Sequence, residues 1–78
     1  MARKHYYVSP NGLGGWKVTL DGVHLGNHGT QGLAISVAVN FAHSDGQKGH
    51  DAQVIVQRPT GEFRTEWTYG HDPYPPKG

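Results

Sequence analysis

Six histidines, several Asp and Tyr residues and no cysteine leave three chemistries to weigh: metal binding, acid–base catalysis and aromatic stacking. His24 and His28 stand four positions apart, the spacing that on a helix turns two imidazoles toward one metal ion. Leu25-Gly26-Asn27 between them and Gly29 after them oppose a helix there. With no Cys available, the pair reads as loop histidines, in solvent or capping the helix that follows. No metal and no cofactor is expected. His50-Asp51, with Asp45 nearby, and His71-Asp72 could serve general acid–base chemistry if held in a cleft. Neighbours in a loop rarely take that geometry, and a chain of 78 residues has little volume for a ligand-sized pocket. Ser9, Ser36 and Ser44 sit in no nucleophile motif. Leu25–Gly32 (L-G-N-H-G-T-Q-G) precedes a helix as a phosphate loop does, but it lacks the Lys-Ser/Thr ending. The reading is that the chain is not an enzyme.

Tyr6, Tyr7, Trp16, Trp67, Tyr69 and Tyr74 raise base stacking as another chemistry. Tyr7 is expected on an open sheet face, where Lys17 and Arg64 could join it, while Glu66 works against them. Seven basic residues against six acidic leave a net charge of +1, with no basic stripe to neutralise a row of phosphates. A small nucleic-acid-binding protein using that open face is therefore the alternative function.

These residues are positioned by a short list of elements. The longest regular run is Thr30–Gly46, T-Q-G-L-A-I-S-V-A-V-N-F-A-H-S-D-G, with Thr30 as N-cap and Gly46 as the residue that ends the helix. At 3.6 residues per turn, Ala34, Ile35, Ala38, Phe41 and Ala42 share the expected core face, and Ser36, Asn40 and His43 oppose it. Leu33, Val37 and Val39 then fall on the flanks, where a surface helix usually carries charge. His5–Ser9 and Trp16–Leu20 read as a hairpin, Asp21-Gly22 as a turn and Val23–Gly29 as a Gly-rich connection. Ala52–Gln57 and Glu62–Tyr69 read as a second hairpin, with Phe63, Thr65, Trp67 and Tyr69 on one face and Arg64, Glu66 and Thr68 on the other. The expected fold is α+β: β-β-α-β-β, one four-stranded antiparallel sheet with the helix packed on one face. Residues 1–78 form one domain, and 70–78 an extended Pro-rich tail. Tyr74 and its prolines are expected to pack on the protein's own sheet edge; a polyproline ligand for an aromatic groove is the other reading. Hydrophobic residues are only 35% of the chain, and a small domain without disulfides often gains stability by oligomerising. No secretory or membrane-spanning segment is visible, so a cytoplasmic, soluble protein is expected.

Pro10–Val18 (P-N-G-L-G-G-W-K-V), the helix with Ala34, Ile35, Ala38 and Ala42, the Thr60-Gly61 turn and Tyr69–Gly78 (Y-G-H-D-P-Y-P-P-K-G) follow one another in an order that resembles a small family of bacterial and phage proteins. That family is classed only as a domain of unknown function, so it brings no catalytic residues. The resemblance implies charged residues at the places of Leu33, Val37, Val39 and Trp67. Here all four are apolar, which on a soluble protein marks a contact surface. Burying these four would be worth on the order of 6–10 kcal/mol before association costs. The expectation is thus a non-enzymatic protein-binding module, a homodimer through Leu33, Val37 and Val39 with Trp67 as an outlying contact. Its partner would be a host protein or protein–nucleic acid complex, by analogy of size with anti-CRISPR inhibitors of host defence.

Overall fold

A computed structural model describes residues 3–74. Five strands and one helix follow in the order β1 (Lys4–Pro10), β2 (Trp16–Leu20), β3 (Val23–His28), α1 (Gln31–Gln47), β4 (Ala52–Gln57) and β5 (Phe63–Thr68). They make one sheet in the order β3-β2-β1-β4-β5. The α+β class and the helix laid on one sheet face hold; the four-stranded, all-antiparallel sheet does not.

The difference starts at Asp21-Gly22. Both residues have positive φ, 51° and 83°, the backbone of the two-residue turn that matches strand twist and closes a hairpin. Val23–His28 therefore pairs with β2 as a third strand rather than running on as a connection. An odd number of strands before the helix fixes the rest. β3 points the same way as β1, α1 returns across the sheet, and β4 starts beside β1 and pairs with it in parallel, Tyr6 opposite Val54 and Val8 opposite Val56. Strand β1 is thus the middle of the sheet, and Val8 is wholly buried.

Thr30 caps the helix as expected, its Oγ1 accepting from the Leu33 N–H at 3.1 Å. Gly46 does not end it. The helix runs on to Gln47, Lys48 is the C-cap, and Gly49 takes the left-handed conformation with φ 92°, which costs glycine nothing. Gly46 instead makes room: a Cβ there would come within 2.2 Å of the Tyr69 ring.

The helix buries Ala34, Ala38, Val39 and Ala42 against Tyr6, Val8, Val18, Val54, Val56 and Trp67. Its inner face is turned from the expected one. Val39 is 1% exposed, whereas Phe41, expected inside, is 43% exposed. Alanines bring the helix close to the sheet, and the larger side chains at the border decide which way it rolls. Phe41 stacks flat on Tyr6 at 5.8 Å between centroids, closing that border from outside.

The last hairpin also departs from strict alternation. A bulge between Val54 and Ile55 places Trp67 opposite Val54 but Thr65, not Glu66, opposite Ile55. One extra residue flips every side chain on its far side. Phe63 therefore pairs with Gln57 on the open face, 61% exposed, and Arg64 pairs with Val56 on the helix side.

Candidate functional site

Leu33, Val37 and Phe41 recur every four residues and so line one flank of α1. Leu33 is 54% exposed, Phe41 is somewhat less so, and Val37 is half-buried between them. Val37, Asn40, Phe41 and Ser44 border a shallow hollow of about 330 Å³. From Thr30 to Ser44 the helix carries no Lys, Arg, Asp or Glu, so the flank is uncharged as well as apolar.

Of the four residues expected to form a contact surface, the structure brings only Leu33 and Val37 together there. Val39 is core. Trp67, 2% exposed, is core too: the bulge turns its ring under the helix, and its indole N–H donates to the Pro73 carbonyl at 2.9 Å. Phe41 is the member of the stripe that sequence reasoning assigned to the core. Its i+8 spacing from Leu33 is the sequence feature that marks it, although the same residue also falls in line with Ala34, Ala38 and Ala42.

Trp67 belongs to a second cluster. Tyr74 stacks on His43 with centroids 3.6 Å apart and planes 7° from parallel, while its hydroxyl donates to Asn40 Oδ1 at 2.8 Å. Trp67 meets both Tyr69 and Tyr74 edge-on. Tyr74 therefore packs on the outer side of the helix and on Trp67, not on the sheet edge as expected; Pro75, Pro76, Lys77 and Gly78 lie outside the described residues.

On the open sheet face, Tyr7 and Phe63 meet edge-on at 5.9 Å, and His5 tilts against Tyr7 at 6.4 Å. Tyr7 and Phe63, with Lys17, Thr19 and Gln57, surround a shallow depression of about 440 Å³. Tyr7 and Lys17 thus share the expected surface. Arg64 does not, because the bulge puts it on the other face.

Asp45, expected at the end of the helix and flanking the loop that follows, lies in the helix's last turn and is 8% exposed. It accepts a hydrogen bond from the Tyr6 hydroxyl and lies 3.5 Å from Lys4 Nζ. Burial first, then the bond to the Asp45 carboxylate, pushes the Tyr6 hydroxyl well above the ordinary tyrosine range. This trio ties the helix end to β1. His24 and His28 lie on β3 rather than in a loop. His24 sits opposite Thr19 and His28 opposite Trp16, on different faces because a bulge intervenes. Among the described residues, no group of three or more His, Asp or Glu side chains is placed to hold a metal, and no helix is long and apolar enough to cross a membrane.

No curated protein and no solved structure matches the chain. A family model does, over residues 6–69, which takes in all of β2 to β5, the helix and most of β1; the Gly70–Gly78 part of the Tyr69–Gly78 motif lies outside the match. The chain belongs to DUF2188, a family of uncharacterised proteins conserved in bacteria.

Proposed function

We propose that this protein is a non-enzymatic binding module whose contact surface is the uncharged Leu33–Val37–Phe41 stripe, and that its first partner is a second copy of itself. The single observation that carries this is an exposed apolar stripe on a helix with no charged residue over fifteen positions, Thr30 to Ser44. A two-fold interface sets each patch against itself. Any charge near the axis would meet its like, so a charge-free stripe suits a second copy better than it suits an arbitrary partner.

The energetics set the kind of dimer. With Val39 and Trp67 already inside, what remains to bury is about half of Leu33 and of Phe41 and a smaller part of Val37, worth at most roughly 1 kcal/mol apiece and so no more than about 6 kcal/mol over two copies. Association costs are of similar size. The dimer is accordingly weak and concentration-dependent, not obligate. A heterologous target, including a host defence complex, would compete for the same stripe; the anti-CRISPR analogy adds a target class to this reading and no residue.

Leu33→Glu with Val37→Lys tests it. The two new charges sit at i and i+4 in the favourable order on a helix, so the fold is retained while the stripe is spoiled. Light scattering over a concentration series should show wild-type mass rising toward a dimer and the double variant staying monomeric with unchanged circular dichroism. A wild type monomeric throughout would end the self-association reading. An unfolded double variant would make the stripe part of the core.

The Tyr7–Phe63 pair beside Lys17 favours a second reading, base stacking on the open sheet face. One cation in the depression gives a salt slope near one phosphate contact, so binding of a labelled oligonucleotide should be seen only at low ionic strength.

A further inference from the structure

A helix about 10–12 Å across is too narrow to cover five strands set about 4.8 Å apart. The two margins it leaves are treated differently. Toward β5, Trp67 lies in the core, and Tyr69 and Tyr74 close against it and against His43. Toward β3, among the described residues, no residue of the strand belongs to the buried core. Alternation along β2 puts Leu20 on the same side as the buried Val18. Val23 stands opposite Leu20 and Gly26 opposite Val18, so both belong to the helix side of the sheet. Val23 is 60% exposed, the bulged Leu25 is 37% exposed, and a Cβ on Gly26 would meet nothing within 4 Å except the His28 ring. From Val23 to His28 this floor carries no Lys, Arg, Asp or Glu. The stripe of α1 borders it. Phe41 stacks on Tyr6, Tyr6 stands opposite Leu20, and Leu20 stands opposite Val23. His43, about 200° further round the helix, meets Tyr69 on the β5 side. Leu33, Val37 and Phe41 therefore occupy the flank turned toward β3.

We infer that the uncovered helix-side floor of β3, around Val23 and Gly26, is the seat of the apolar helix stripe of a second copy, each helix resting on its partner's floor about a two-fold axis. The inference rests on the self-association reading above and says what the stripe meets. Every copy has one unused stripe and one unused floor, and a two-fold contact fills both, because each surface of one copy meets the other surface of its partner. A foreign helix on the floor would leave the stripe in water. Pairing the two β3 edges would leave both there. Stripe on floor buries two stripes and two floors where stripe on stripe buries the stripes alone, which sets more apolar area against the cost of association. Neither surface carries a charged side chain, so the contact strands no ion. Gly26 lets the incoming helix approach the β3 backbone closely.

The experiment compares the full chain with Val23→Lys, a change far from the stripe in sequence and at an exposed position. In light scattering over a concentration series, Val23→Lys should raise the dimer dissociation constant by at least about tenfold, since the two-fold buries the new charge twice. Its circular dichroism should match wild type. An equal mixture of isotope-labelled and unlabelled wild type, at a concentration where the dimer forms, should give filtered nuclear Overhauser contacts from Leu33, Val37 or Phe41 of one copy to Val23 or Leu25 of the other. A dimer that survives Val23→Lys but is lost in Leu33→Glu with Val37→Lys overturns this inference and leaves the stripe reading standing. So do contacts between copies that run from stripe to stripe only, which decide the matter if Val23→Lys does not fold. A wild type monomeric throughout overturns the inference together with the reading it rests on.

Discussion

Gly46→Ala is expected to change sign with its neighbour. In an exposed helix interior this substitution stabilises by about 1 kcal/mol, since alanine loses less backbone entropy than glycine. Here the new Cβ would lie 2.2 Å from Tyr69 Cδ1 and 2.4 Å from Cε1. Ordinary contact begins near 3.4 Å, so the ring must retreat by about 1.2 Å, the difference of the two. It cannot do so freely, because it packs between Trp67 and His43. Forced overpacking of this kind costs typically 1–3 kcal/mol; with three ring atoms within 2.4 Å of the new Cβ the upper part of that range, about 2–3 kcal/mol, applies, and the propensity gain of about 1 kcal/mol is subtracted from it. Gly46→Ala should therefore destabilise by about 1–2 kcal/mol, a drop in melting temperature of roughly 4–15 °C for a domain of this size. In a Tyr69→Ala background the clash is gone, and the same change should stabilise by about 1 kcal/mol. Urea unfolding of the four proteins gives a coupling energy of about 2–3 kcal/mol. Equal effects of Gly46→Ala in both backgrounds would refute the claim that this glycine exists to seat Tyr69.

The Tyr6 hydroxyl bond to buried Asp45 should be worth about 2 kcal/mol, as for a buried bond to a charged group, read as a fall in unfolding free energy in Tyr6→Phe. Because the folded state raises the Tyr6 hydroxyl above its unfolded value near 10, the unfolded chain releases that proton first. The associated stability is fully present below pH 10 and is lost as pH rises beyond it, so wild type should weaken on alkaline titration more steeply than Tyr6→Phe. Thr30→Ala removes the cap on Leu33 N–H and should cost about 1 kcal/mol without altering light-scattering mass. Val39→Asp places a charge at a position 1% exposed and should abolish the cooperative unfolding transition, whereas Leu33→Asp should leave it within about 0.5 kcal/mol.

Much of this fold was legible in local patterns. Thr30 declared the helix start because a short side chain with an acceptor oxygen, placed before an apolar run, satisfies one of the first free N–H groups. Trp16–Leu20 and Ala52–Gln57 declared themselves by alternation. What was hidden depends on pairing partners. Val23–His28 carries Gly26, Asn27 and two histidines, a poor strand by propensity, and becomes one because the Asp21-Gly22 turn delivers it to β2. The bulges at β3 and β5 leave no mark in composition, yet the one in β5 moved Arg64 off the open face, put Phe63 onto it and kept Trp67 in the core. The helix roll was equally silent. With alanines on its inner face, either Phe41 or Val39 could have gone inside, and the Tyr6 ring settled it by offering Phe41 a flat surface to stack on. The candidate stripe kept Leu33 and Val37 for the reason first given and gained Phe41 for a reason found only in three dimensions.

Strand β1 sits between partners that arrive at very different times. Its hairpin partner β2 follows within a few residues, but β4, on its other side, lies beyond the whole helix. As the chain leaves a ribosome, the three-stranded meander can close on its own contacts while Tyr6 and Val8 face an empty flank until residue 57 has emerged. An unpaired apolar strand edge is a template for misassociation, so the vulnerable period of this small protein is during its making, and rapid synthesis through residues 31–57 shortens it.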